Sequence, residues 1–255
     1  LIRKEGWRFL SNLQKLESPR RLKMKWMIKD KSEELKKMVT KQGWYVEDLL
    51  RITAESFKER NSDLAKQIKH DYWDIYDSYL EILNFSQVLL GTFAPNSYYL
   101  RFTSGSVIVS KILLDITDRL KDIAENIICL VKEPEINQSI MLPEMFAFSQ
   151  KMLRKSLRIY VDQNIEGAVG VCMQDAKIDE AYGGFKGEII RIVQDNPRLI
   201  NRGSMLLDIS RAIEEISDFA VQIIETTYYI LTARHYKCYE DELHEFSLEL
   251  FKSQQ

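Results

Sequence analysis

Apolar positions recur at helical spacing through nearly the whole chain after residue 26. Val46, Leu49, Leu50, Thr53, Ala54 and Phe57 mark one face of a first helix. A turn is predicted at Arg60-Asn61-Ser62-Asp63, with Ser62 or Asp63 capping the helix that follows. That second helix spans about 63–90 and stops at Gly91, because Pro95 cannot continue it. A third long helix covers about 98–132 and ends before Pro134. Residues 134–143 read as a linker. Three more helices follow at about 143–163, 164–195 and 197–234, the last with Pro197 in its first turn. Gly183, Gly184 and Gly187 predict a kink or break in the fifth, since each Gly costs about 1 kcal/mol relative to Ala in a helix.

The pattern occurs twice. Shifted by 100 residues, Leu114-Asp115-Ile116-Thr117-Asp118 lies over Glu214-Glu215-Ile216-Ser217-Asp218, Ile123 over Ile223 and Glu125 over Glu225. Shifted by 103, Leu50 meets Leu153, Thr53 meets Ser156, Phe57 meets Tyr160, Asn61 meets Asn164 and Ala65 meets Ala168. At 102, Tyr76-Asp77 meets Ile178-Asp179. One three-helix unit is therefore used twice, and two antiparallel bundles side by side bury both sets of apolar stripes. The expected fold is all-α: two tandem pseudo-symmetric three-helix bundles, residues 24–136 and 137–255, the second with a C-terminal tail. Residues 1–23 form a basic extension, with seven Arg/Lys against two Glu and a stripe of Trp7, Leu10, Leu13 and Leu16. A helix docked on the body is preferred there over a membrane-surface or partner-binding helix.

Composition narrows the function classes. The chain has 255 residues, 45% of them apolar, and 36 Lys plus Arg balance 38 Asp plus Glu, so bulk charge gives no pull towards nucleic acid. No apolar run approaches the roughly 20 residues of a membrane span, and no apolar signal-peptide core opens the sequence. Cys129, Cys172 and Cys238 are odd in number and far apart, which argues against a disulfide framework and a thiolate zinc site. These features together predict a cytoplasmic protein.

Candidate chemistry lies in the acids. The third helix of each unit carries carboxylates four residues apart, Asp118 with Asp122 and Glu214 with Asp218, so each pair shares one helix face. Flanking Ile116, Leu120, Ile216 and Phe219 place them beside apolar faces, where a bare charge is costly and calls for a basic partner or a metal. Asp74, Asp77, Asp175 and Asp179 on the middle helices offer further oxygens, suited to hard or borderline cations. The ordinary alternative is a solvated acidic face. His70, His235 and His244 are scattered, and the sequence has no H-E-x-x-H, phosphate-binding glycine loop or nucleophile elbow. It shows no catalytic set.

The order of these motifs resembles the PhoU family. Glu214-Glu215-Ile216-Ser217-Asp218-Phe219-Ala220 is similar to the family's second acidic motif, and Leu114-Asp115-Ile116-Thr117-Asp118 with Asp122 to its first. Lys41-Gln42-Gly43-Trp44 and Tyr236-Lys237-Cys238-Tyr239-Glu240-Asp241-Glu242-Leu243 are also similar to members of the family. The resemblance covers about residues 24–243. It implies a regulator of phosphate uptake that is not an enzyme and acts with the Pst phosphate ABC transporter and a phosphate-sensing histidine kinase. It also implies homodimers, membrane association only through partners, and metal clusters on the acidic motifs. Glu214, Asp218, Asp118, Asp122, Asp175, Asp179 and Asp77 are the ligands expected, with iron or zinc ahead of manganese or magnesium. Leu114 stands where the first motif has an acid, so the first site is expected to hold fewer metals or none. Two other readings stand beside this one: an accessory protein of a different phosphate or anion transporter, and a metal-dependent phosphohydrolase, for which no base is visible.

Overall fold

The computed structural model describes residues 19–92, 97–136, 141–239 and 242–246. Six helices carry the fold: α1 (Pro19–Lys58), α2 (Ser62–Thr92), α3 (Ser97–Leu130), α4 (Met141–Asp162), α5 (Val169–Asp195) and α6 (Ile200–Thr232). A 3-10 turn, Pro197–Leu199, leads into α6. The helix expected within residues 1–18 lies outside the described residues.

Helices α1–α3 form one unit and α4–α6 the other. Their junction is made by α3 against α6 and by α1 against α4, which leaves α2 and α5 on the flanks. Helix α3 sits at the centre. Leu113, Ile116, Leu120, Ile123 and Ile127 are all at most 1% exposed. Burying each contributes about 1.5–3 kcal/mol relative to leaving it in water. The same helix carries Thr103, Gly105, Ser106, Ser110 and Thr117 at buried positions, and these small residues let neighbouring helices approach. A Cβ on Gly105 would stand 2.5 Å from Cγ1 of Ile230 on α6. Thr117 and Ser217 occupy the same place in the two units, and each hydroxyl donates to the carbonyl four residues back, Leu113 and Ile213. Such self-satisfaction is what permits a buried hydroxyl.

Repetition extends to the turns. Arg60 and Gln163, 103 residues apart, are both left-handed, at φ 51° and 50°. The residue after each is Asn. The Asn61 side chain accepts from the backbone N–H groups of Asp63 and Leu64, and the Asn164 side chain from that of Glu166. Asn61 is thus the cap expected of Ser62 or Asp63, because its amide oxygen reaches both free donors. Helix α5 starts at Val169, later than expected, after a loop containing Gly167 at φ +86°. It then runs unbroken past Gly183, Gly184 and Gly187. The glycines leave the break unmade, and little meets them: only Met141 Cε, at 3.8 Å, comes near a Cβ built on Gly184.

The tail is the part that helical periodicity missed. Strands β1 (His235–Tyr239) and β2 (Glu242–Phe246) pair antiparallel as a hairpin, with Cys238 opposite Leu243. The hairpin rests on both α5 and α6. Cys172 of α5 is bonded to Cys238 of β1, a disulfide not foreseen by the argument against a disulfide framework. A separation of 66 residues gives no sign in sequence that two Cα atoms lie 5.7 Å apart. No helix among the described residues is long and apolar enough to cross a membrane.

Candidate functional site

The two units hold their acids in different electrostatic states. In the second unit, α5 presents Asp175 and Asp179, and α6 presents Glu214 and Asp218. Each pair spans one helical turn. Among the described residues none of the four forms an ion pair. Burial pushes Asp175 up to about 7, and the charges of Asp218, Asp179, Glu214 and Glu225 add to it. Burial likewise raises Glu214 to about 7, reinforced by Asp218 and Asp179 and opposed by Arg211. Asp218 is raised by burial and by Asp179, with Lys237 pulling the other way, and Asp179 is raised by burial. The Oδ1 atom of Asp175 is buried without a hydrogen-bond partner. Four carboxylates, partly withdrawn from water and repelling one another, favour whatever brings positive charge: protons or a cation.

The first unit supplies its own cations. Asp118 pairs with Lys121 at 3.3 Å, and Asp122 with Arg119 at 3.2 Å. Asp115 pairs with Lys111, and Leu114, where an acid was expected, is buried at 4% exposure. Lys121 also lies over the Tyr72 ring, 4.3 Å from its centroid. Asp77 is elsewhere, in a groove of ≈ 420 Å³ with Lys41, Gln42, Tyr45 and Asp74. There Tyr45 donates to Asp74 at 3.4 Å. Burial and the nearby Asp71 and Asp74 push its phenol up to about 12, so it remains a donor. Asp77, Asp118 and Asp122 are not gathered into one cluster. A second polar groove, ≈ 410 Å³, runs between α3 and α6, where Arg119 bridges to Glu215 at 3.3 Å.

The donor set of the second unit suits a hard or borderline cation: oxygen only, anionic and in no ion pair among the described residues. The first unit fits one poorly, because each of Asp118 and Asp122 already faces a lysine or arginine. Among the described residues no group of three His, Cys, Asp or Glu side chains stands close enough to hold an ion in this arrangement. Mutual repulsion keeps bare carboxylates apart, and a bound cation would draw them together.

Residues that sequence reading missed surround the same end of the second unit. Glu225, seven residues beyond Asp218, accepts from Lys237 Nζ at 3.1 Å and from the Cys238 backbone N–H at 3.0 Å. Its place opposite Glu125 in the repeat was a visible signal. Lys237 and Cys238 stood out only as part of the family-like stretch 236–243, with no role attached, since they act through the hairpin.

The fold and the motif order agree with what comparison with known proteins finds. The PhoU domain family profile matches residues 39–127 and 142–227, one match in each unit. The phosphate-specific transport system accessory protein PhoU homolog 2 of Thermotoga maritima is 33% identical over 220 residues, covering 86% of this chain and 94% of that protein. The PhoU homolog of Zymomonas mobilis, also named a phosphate-specific transport system accessory protein, is 24% identical over 200 residues, 78% of this chain and 84% of that one. The crystal structure of PhoU from Pseudomonas aeruginosa superposes with a TM-score of 0.78 at 21% identity, over 80% of this chain and 99% of that chain. With a family match in each three-helix unit and a one-third-identical relative spanning most of the chain, this protein belongs to the PhoU family.

Proposed function

We propose that this protein regulates phosphate uptake and the phosphate-starvation response by binding and not by catalysis. Its partners on this reading are a phosphate ABC transporter and a phosphate-sensing histidine kinase, met in the cytoplasm. The names of the relatives, accessory proteins of a phosphate-specific transport system, support the transport context. The observation that carries the rest is the unequal charge of the two units. Asp175, Asp179, Glu214 and Asp218 form no ion pair among the described residues, with Arg211 and Lys237 acting on them only from a distance, whereas Asp118 and Asp122 are each paired. The four second-unit acids hold a cation, iron or zinc first, and the first unit holds fewer or none. When bound, the cation supplies positive charge at the α5–α6 surface and stiffens the two helices against each other. The chain's own part is to present helical faces of fixed shape to a partner.

Two measurements test this. Metal analysis of protein purified without chelator should find metal in the wild type and little in Glu214→Gln/Asp218→Asn, while Asp118→Asn/Asp122→Asn keeps it. In cells lacking the protein, starvation genes should be expressed at high phosphate. Wild type should silence them and the second-unit variant should not. Silencing by a variant that has lost its metal would remove the cation from the mechanism, and no change of expression on deletion would sink the regulator reading.

A further inference from the structure

The disulfide lies at the end of the acidic site, and its position gives it a job. Cys172, Asp175 and Asp179 fall at i, i+3 and i+7 along α5, on one side of the helix. On α6, Asp218 and Glu225 are likewise seven residues apart. The hairpin bridges the two helices here. Its hold on α6 includes the pair of bonds to Glu225, from Lys237 Nζ and Cys238 N–H, the Tyr236 ring 4.5 Å from that of Tyr228, and His235 stacked 4.7 Å from Tyr229. Its hold on α5 includes one covalent bond, Cys172 to Cys238. Lys237, the one cation of the hairpin that acts on Asp218, is carried by the residue next to that bond.

We propose that Cys172 and Cys238 form a redox latch that fixes the C-terminal hairpin, and with it Lys237, over one end of the second-unit acidic site. The latch regulates the site described above and rests on that reading for its effect on cations. A disulfide in a reducing compartment is a transient or sensing bond more often than a structural one, which suits this role. Opening needs a low-molecular-weight thiol. Its thiolate attacks Cys238 Sγ, since Cys238 is partly exposed while Cys172 is 2% exposed. Cys172 leaves as thiolate and takes a proton. A second thiol resolves the mixed disulfide, leaving the Cys238 thiol and one small-molecule disulfide, two electrons having passed to the protein. The opened hairpin keeps its contacts to α6 but loses its covalent tie to α5, so it opens away from α5 more often. With the tie to α5 gone, Lys237 spends less time beside the acidic end, and the carboxylates bind cations more tightly.

The test uses the full chain with Cys129→Ser, which removes the exposed free thiol. Hydrogen exchange of amides 235–246 and Mn²⁺ titration are compared for the oxidised protein, for protein reduced with a phosphine that is then removed, and for Cys238→Ser. The reduced form and Cys238→Ser should exchange these amides about tenfold faster than the oxidised form and bind Mn²⁺ severalfold more tightly. Equal exchange in oxidised and reduced protein overturns the latch, whatever the metal does. So does a thiol assay that finds Cys172 and Cys238 both free after oxidation. If no form binds Mn²⁺ but exchange still differs tenfold, the latch stands and the carboxylate reading falls.

Discussion

Leu157 of α4 reaches across the junction of the two units so closely that a Cβ on Gly43 of α1 would lie 2.5 Å from its Cδ2. Gly43→Val should overpack this contact and cost about 1–3 kcal/mol, read as a lowered denaturant midpoint with unchanged slope. The clash is with a side-chain end, so truncating the partner should relieve it. Leu157→Ala alone costs about 2–5 kcal/mol. Adding Gly43→Ala to it should recover part of that loss, because alanine is the better helix former and the space is now free. Strict additivity would show that the two residues do not share the contact.

The buried pair of Ser106 and Tyr160 makes a second junction test. Their hydroxyls are 2.7 Å apart and both residues are fully buried. The Tyr160 ring also stacks on Phe102, with centroids 6.3 Å apart. Tyr160→Phe keeps the stack and removes one hydroxyl, so it should destabilise by about 1–3 kcal/mol. Ser106→Ala combined with it should restore most of the loss, since no orphan polar group then remains. Equilibrium unfolding of the two variants decides this.

Cation binding should appear as stability. At a hundredfold excess over Kd, a cation that binds only the folded chain adds about 2.7 kcal/mol. Thermal unfolding with and without Mn²⁺ or Zn²⁺ should therefore show an upward shift in wild type and in Asp118→Asn. The shift should vanish in Asp175→Asn/Glu214→Gln.

The metal-free protein should be stabilised by mild acid. Asp175 and Glu214 titrate near 7 in the fold, above their unfolded values, so the folded chain holds more protons. Their contribution is fullest below the unfolded carboxylate range and is lost as pH rises through about 7. With chelator present, the melting temperature should climb from pH 8 to pH 5. Asp175→Asn/Glu214→Gln should be more stable than wild type at pH 8 and show a flatter profile. A wild-type melting temperature that falls on acidification over this range would count against the crowded-carboxylate description.

Most of the helical frame was legible because long amphipathic runs punctuated by Pro95, Pro134 and Pro197 leave few alternatives, and because the repeat checks each unit against the other. Asn61 and Asn164 show how far this went: a residue match at one offset became the same left-handed turn in both copies. The hairpin was not legible, since five-residue strands after a long helix carry too little pattern. The fifth helix misled in the other direction, as it stays continuous through glycines that little packs against. At the acidic site, position was readable but charge state was not. Asp118 and Asp218 look alike in sequence; Lys121, three residues on, was a readable partner for the first, but the burial that raises Asp175 and Glu214 needed the fold.

One contiguous apolar core holds residues of both units, from Leu35, Val109 and Ile116 to Leu153, Ile216 and Ile224. A three-helix unit cut out alone would expose the faces of α1 and α3 that now meet α4 and α6. Each unit therefore serves as the other's cover, and the tandem repeat puts that partner permanently within the same chain. The two copies differ in charge where it matters for their acids: Arg119 and Lys121 of the first unit stand where the second has Phe219 and Val221.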